Sequence, residues 1–193
     1  MNQEQRLVDI LRASPRVMRV LHIMRAAALP DCRLVAGSIY GTVWNALTGQ
    51  APDYGIKDYD ICYFDPDTSW EAEDAIIKAV AAITPPDLLP LIEVRNQARV
   101  HLWFGAKFGG DYPPLSNTDQ ALTRYLCYSD AVAARLEADD SISIAAPFGL
   151  DDVFSMTLRA NPGRGTTDNR AAKFASVQAR WPQVHYKETE YAP

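Results

Sequence analysis

Two aspartates set two apart in an apolar run constrain this chain more than any other feature. Ile56-Lys57-Asp58-Tyr59-Asp60-Ile61-Cys62-Tyr63-Phe64 is rich in aromatic and β-branched residues, with Gly55 before it and Asp65-Pro66-Asp67 after it, and so reads as a strand between turns. Side chains alternate along a strand, which sends Asp58 and Asp60 to the same face with Cα atoms about 6.5 to 7 Å apart. Two carboxylates projecting from an apolar strand repel each other and resist desolvation; a bound metal, a basic partner or a raised pKa relieves the cost. The same pair on the wet face of an edge strand carries no such cost, and the rest of the chain has to decide between the two.

A length of 193 residues suits one domain with a substantial core, with N-terminal helices over 1–30, a core over 31–160 and a C-terminal extension over 161–193. The net charge of −5 argues against bulk nucleic-acid binding, while leaving room for a local basic groove. Cys32, Cys62 and Cys127 are odd in number and widely spaced, which indicates neither a disulfide framework nor a zinc site and fits a reducing cytoplasm. Residues 1–6 lack a secretory pattern, and no apolar run is long enough to span a bilayer.

In chain order, Leu7, Ile10 and Leu11 mark a first helix, and Ser14-Pro15 opens a second that carries Val17, Val20, Leu21 and Met24. His22 within it reads as a packed or half-exposed histidine. Arg33-Leu34-Val35-Ala36 is a short strand leading to Gly37-Ser38 and a helix that ends at Gly49. Glycine permits close approach of a ligand, and open amides with the positive helix end favour an anion, although turn-plus-cap chemistry uses the same residues. Thr68 and Glu71 form a capping box for the next helix. Leu91 to Phe104 alternates as one long strand, putting Glu93, Arg95, Arg99 and His101 on a polar face with only Asn96 out of character. Such a face is either plainly solvated or, beside the aspartate strand, a third carboxylate with two phosphate-seeking guanidinium groups. Residues 105–118 read as a mobile loop, Asn117 with Gln120 caps a helix to Leu136, Ile142-Ser143-Ile144 is a strand, and Asp151-Asp152 starts a short helix. From Asn161 on the chain reads as irregular, with a helical turn or two near 170–180, and Trp181-Pro182 and the tail run along the surface.

Gly37-Ser38, then Asp58-Tyr59-Asp60, then Ile92-Glu93-Val94 resemble, in that order, the signature of the nucleotidyltransferase superfamily. Gly37-Ser38-Ile39, Trp44-Asn45, Asp60 through Tyr63-Phe64-Asp65, Val94 to Trp103 and Ala146 to Asp152 are similar to a small bacterial family within it. The resemblance spans roughly residues 34–161 and implies an α+β fold like that of DNA polymerase beta. In that fold a twisted mixed sheet is backed by helices on one face and carries the active site on the other.

It also implies transfer of a nucleoside monophosphate from a nucleoside triphosphate, ATP among the candidates, to an acceptor hydroxyl, with release of pyrophosphate. Asp58, Asp60 and Glu93 would be catalytic and hold Mg²⁺ or Mn²⁺, Gly37 and Ser38 would bind the β- and γ-phosphates, and Arg95 or Arg99 would neutralise charge on pyrophosphate. A nucleotide-binding module without chemistry, and a metal-dependent phosphohydrolase, are the competing readings. The acceptor is unreadable from the sequence: a sugar, a small molecule, a protein side chain and an RNA end all satisfy it.

Overall fold

In a computed structural model, which describes residues 2–189, the strands are β1 (Arg33–Val35), β2 (Tyr59–Tyr63), β3 (Ile92–Asn96), β4 (Ala133–Leu136), β5 (Ile142–Ala145), β6 (Thr157–Arg159) and β7 (His185–Lys187). The helices are α1 (Gln3–Arg12), α2 (Pro15–Ala26), α3 (Gly37–Thr48), α4 (Trp70–Ile83), α5 (Val100–Phe108), α6 (Thr118–Leu122), α7 (Asp151–Phe154) and α8 (Thr167–Gln178). Five strands form one mixed sheet in the order β3-β2-β1-β4-β5, and β6 with β7 forms a small parallel pair. Within the large sheet only β2 and β3 run parallel. A parallel pair needs a crossover, and α4 supplies it.

Alternation divides this sheet into two unlike faces. Tyr59, Ile61 and Tyr63 of β2 point with Leu34, Val94 and Ala134 into the main core, where α1 contributes Leu7 and Leu11, α2 Val17 and Leu21, and α3 Ile39, Val43 and Trp44. The other face presents Asp60 and Cys62, Glu93 and Arg95, and Val35 and Ala133, and is covered in part by Leu122 and Tyr125. Helices back one face and leave the other accessible, as the α+β expectation required.

Trp44 and Trp181 stand edge to face at 5.4 Å, and the Trp181 indole N–H donates to Asn45 Oδ1 at 2.8 Å. The Asn45 amide donates in turn to the carbonyls of Pro52 and Tyr54, pinning the loop that delivers β2. A Cβ on Gly41 would come within 3.2 Å of the Trp181 ring, so glycine is what lets the indole approach α3. Trp181 is therefore buried and not on the surface: its ring has an aromatic pocket and its N–H a partner. Residues 190–193 of the expected surface tail lie outside the described residues.

Several element boundaries differ from the sequence reading, each for a local reason. The strand over 91–104 stops at Asn96, continues as a 3-10 turn over 97–99 and becomes α5. Asn96, the one residue out of pattern, causes this: its side chain accepts from the amides of Ala98 and Asp65 and donates to the carbonyls of Asp65 and Asp67. Ser69, not Thr68, caps α4, accepting from the Ala72 amide at 3.2 Å. The helix expected up to Leu136 ends at Leu122, because the alanine-rich run after Asp130 pairs between β1 and β5 as β4. In the extension, where irregular chain with a helical turn or two near 170–180 was expected, Thr166 and Asn169 form a capping box that starts the longer, three-turn helix α8. The Asn117 cap of α6 and the left-handed Gly49 that ends α3 are as expected.

Candidate active site

The register of β2 against β3 pairs Asp60 with Glu93 and Cys62 with Arg95, so both acids stand on the open face at the start of their strands. Asp58 lies one residue before β2. Burial pushes the Asp60 carboxyl up to about 7, and the negative charges of Asp58 and Glu93 add to that effect. Three carboxylates therefore share one electrostatic neighbourhood. Among the described residues no three His, Cys, Asp or Glu side chains are already gathered as a metal site. An all-oxygen set of half-buried and exposed carboxylates nevertheless suits a hard divalent cation that takes one or two protein carboxylates and completes its shell with substrate phosphates and water.

On the far side of β2, β1 places Val35 opposite Asp60 and then turns into α3 through Ala36. Ala36 has φ 55° and ψ −122°, a conformation that favours glycine and costs an alanine about 1 to 3 kcal/mol. The turn is fixed by its amide, which donates to Val132, and by its carbonyl, which accepts from Ile39 and Tyr40. The Ser38 hydroxyl is fully buried and donates to the Val35 carbonyl at 3.0 Å, so it braces the turn, while the first-turn amides of Gly37 and Ser38 are those a helix leaves open.

Of the two arginines singled out in the sequence, only Arg95 stays on the face with Glu93, where Arg95 Nη2 lies 3.8 Å from Glu93 Oε2. The turn at Asn96 carries Arg99 away. Its Nε lies 3.0 Å from Glu73 Oε2, and its Nη1 donates to the Thr68 carbonyl at 2.7 Å.

The sequence reading missed a second charged group near the acids. Asp130, 3 % exposed at its side chain, holds the Lys173 ammonium at 2.9 Å, and Lys173 lies 5.3 Å from the centre of the Tyr40 ring. Burial opposes the lysine charge, but Asp130 and the Tyr40 hydroxyl outweigh it and raise the Lys173 pKa above the ordinary lysine range. Asp130 ends a 3-10 turn and Lys173 sits on α8, so nothing in spacing or periodicity joins them; the helical turns expected near 170–180 and the Thr166/Asn169 capping signal point to α8 but not to its partner. Tyr125 is partly buried, with its hydroxyl 3.7 Å from the Cys62 thiol, and burial pushes that thiol up to about 12.

Comparison with known proteins agrees with this geometry. An NMR structure described as revealing a CCA-adding enzyme head domain matches with a TM-score of 0.77 and 25% identity, over 97% of each chain. The complex of a CCA-adding enzyme with ATP matches with a TM-score of 0.55 and 14% identity, over 94% of this chain and 42% of that one. A structure described as tRNA-processing enzyme complex 3 matches with a TM-score of 0.50 and 15% identity, over 87% and 43%. The last two show a shared fold, and this chain spans less than half of their length. No curated protein sequence matches significantly. The family profile described as Nucleotidyltransferase matches residues 22–186, taking in β1 through most of β7. With the open sheet face, its paired acids and a profile match over most of the length, the chain belongs to the nucleotidyltransferase family.

Proposed function

We propose that the protein moves a nucleoside monophosphate from a nucleoside triphosphate to an acceptor hydroxyl, with Asp58, Asp60 and Glu93 as the catalytic carboxylates. The observation that carries this reading is the pairing of Asp60 with Glu93 across β2 and β3, which places a third acid beside the Asp58/Asp60 pair on an open face. Those three residues would hold Mg²⁺ or Mn²⁺, which when bound supplies charge neutralisation at the reacting phosphate oxygens. Glu93, paired with Asp60 on the open face, would also help to deprotonate the acceptor hydroxyl. The open amides of Gly37 and Ser38 hold the β- and γ-phosphates, and Arg95 balances charge on the departing pyrophosphate. Arg99 has no part in this scheme, because its guanidinium is engaged by Glu73.

ATP is the donor we favour, and an RNA 3′ end comes forward among the acceptor candidates because a structure 25% identical to this chain is described as revealing a CCA-adding enzyme head domain. The acidic net charge still argues for recognition of a defined end and against bulk polyanion binding. The reading places the protein in the cytoplasm, where nucleoside triphosphates are at hand; no described helix is long and apolar enough to cross a membrane.

Incubating the protein with each labelled nucleoside triphosphate, Mg²⁺ and a panel of hydroxyl acceptors, RNA ends included, tests it. We expect pyrophosphate release coupled to a labelled acceptor, and loss of both in Asp60→Asn without loss of the folded far-UV signal. Full Mg²⁺-dependent transfer by Asp60→Asn would refute the assignment. Pyrophosphate release with no labelled acceptor would favour the phosphohydrolase, and nucleotide binding without any product the silent module.

A further inference from the structure

We propose that Lys173, carried on α8, is a triphosphate-binding residue, held against the Gly37-Ser38 turn by Asp130 and Tyr40. This deepens the transfer reading and rests on it for the identity of the ligand.

The placement comes from three contacts that converge. Lys173 Nζ lies 2.9 Å from Asp130 Oδ1 and 5.3 Å from the centre of the Tyr40 ring. Tyr40 lies in the first turn of α3, and a Cβ built on Gly37 would be 3.7 Å from the Tyr40 hydroxyl oxygen. The ammonium is therefore about one side chain's width from the open amides that begin α3. On the other side, the same turn follows Val35, which pairs with Asp60 across β1 and β2. The ammonium is thus near the turn that suits the outer phosphates, and that turn adjoins the strand that pairs with the carboxylate strand.

The pair is asymmetric in a way that a purely structural ion pair is not required to be. Asp130 is 3 % exposed at its side chain, whereas Lys173 keeps 28 % of its side chain exposed. An ammonium has three donors; the Asp130 Oδ1 contact is ionic and not an aligned hydrogen bond, and the Tyr40 ring lies against another side, which leaves donor capacity for a phosphate oxygen. Asp130 thus fixes where the charge stands. α8 is rigid enough to serve, because its capping box secures one end, while Val177 and Trp181, both buried in the core, secure the other. A cation positioned before the ligand arrives loses little side-chain freedom on binding.

The test uses inorganic tripolyphosphate with Mg²⁺ as the probe, which carries the phosphate chemistry without any base or acceptor. Removing Lys173 alone would leave Asp130 buried and unpaired, so the informative variant is Lys173→Met combined with Asp130→Asn. By calorimetry we expect the double variant to bind tripolyphosphate at least tenfold more weakly than wild type, and Lys173→Arg to recover most of that loss. A merely structural role would lower the melting temperature while leaving the affinity of the folded protein unchanged, and that result overturns the proposal. Should the double variant fail to fold, the wild-type protein answers directly. Tripolyphosphate with Mg²⁺ must shift the ¹³Cε resonance of Lys173 in protein carrying labelled lysine, with Lys187 as internal control; an unmoved Lys173 resonance overturns the proposal.

Asp60→Asn separates the two readings. If it loses Mg²⁺-dependent transfer while the Lys173 variants bind tripolyphosphate like wild type, Lys173 falls and the transfer site stands. If it keeps full transfer while the Lys173 variants lose tripolyphosphate, the carboxylate assignment falls and Lys173 stands. Absence of tripolyphosphate binding by the wild type overturns the Lys173 assignment outright.

Discussion

Glu93 with Arg95 and Glu73 with Arg99 are chemically the same pair, set around the same strand, and the fold treats them in opposite ways. At the first pair the closest ionic contact is 3.8 Å, with side chains 55 % and 51 % exposed. At the second it is 3.0 Å, with side chains 7 % and 13 % exposed, and the surrounding groups leave no freedom: Glu73 Oε1 also accepts the Asn96 amide at 2.9 Å, and Arg99 also donates to Thr68. The Arg99 Nε–H is not aligned for a hydrogen bond to Glu73, so the contact there is ionic. One pair is available to a ligand; the other is the peg that ends β3, starts the 3-10 turn and anchors α4. Charged residues on an alternating run become functional or structural according to what burial has already committed them to.

The sharpest break between the two comes from neutralising each glutamate in turn. Glu93→Gln should lower the rate of nucleotidyl transfer by about 10²- to 10³-fold, the order of effect that proton transfer and charge placement in a transition state command. Its stability in urea should stay within about 0.5 kcal/mol of wild type, as for other exposed sites. Equal activity in Glu93→Gln would remove the third carboxylate from the site.

Glu73→Gln and Arg99→Met should do the reverse. Each strips the partner from a buried ion, a change that costs about 3 kcal/mol or more. Urea or thermal denaturation reads that loss, while the folded fraction should bind nucleotide with wild-type affinity. If Arg99→Met weakened nucleotide binding without moving the denaturation midpoint, the division drawn between the two pairs would be wrong.

The same contrast shows what could be read from the sequence. The Asp58-Tyr59-Asp60 and Ile92-Glu93-Val94 segments were legible because period-2 alternation with an apolar partner face survives in the fold, and the parallel register then brought Asp60 opposite Glu93. The α3 turn was legible through Gly37-Ser38 and its end through Gly49. Arg99 was misplaced because alternation alone continues past Asn96, whereas the chain turns there on four hydrogen bonds to residues about thirty positions earlier or two later. Lys173 and Asp130 were invisible for a related reason: their ion pair joins segments 43 positions apart (173 − 130), and the partner that gives each its meaning is set by tertiary packing. Trp181 looked like a surface residue because Trp-Pro near a charged tail has no periodicity, and its pocket is built by α3.

Asp60 offers a test that needs no substrate. Burial with Asp58 and Glu93 nearby raises its pKa from the ordinary 3.8 to about 7, so between those values the folded protein binds more protons than the unfolded chain. Stability of the metal-free protein should therefore fall as pH rises from about 4 to about 7, by about 2 kcal/mol from this group once screening at a partly exposed carboxylate is allowed for. Asp60→Asn should flatten that part of the profile and be the more stable protein at pH 8. Adding Mg²⁺ at pH 8 should raise the melting temperature of wild type more than that of Asp60→Asn, because a ligand that binds only the folded state stabilises it. A wild-type profile no steeper than that of Asp60→Asn would mean that the three acids do not share a field.

Arg95 carries the smallest expected effect on stability and the finest test of the comparison. Its guanidinium reaches Glu93 only at 3.8 Å and donates to the Val94 carbonyl at 3.1 Å, contacts that water replaces at little cost. Exposed pairs of this kind contribute about 0 to 1 kcal/mol, so Arg95→Ala should unfold within about 0.5 kcal/mol of wild type, and a double-mutant cycle with Glu93→Ala should give a coupling no larger. The same substitution should raise the KM for nucleoside triphosphate severalfold, because a side chain uncommitted in the free protein is free to meet the phosphates. The two measurements have to diverge. If Arg95→Ala costs stability on the scale of Arg99→Met, or leaves KM untouched, then openness at the start of β3 does not mark a residue reserved for the ligand.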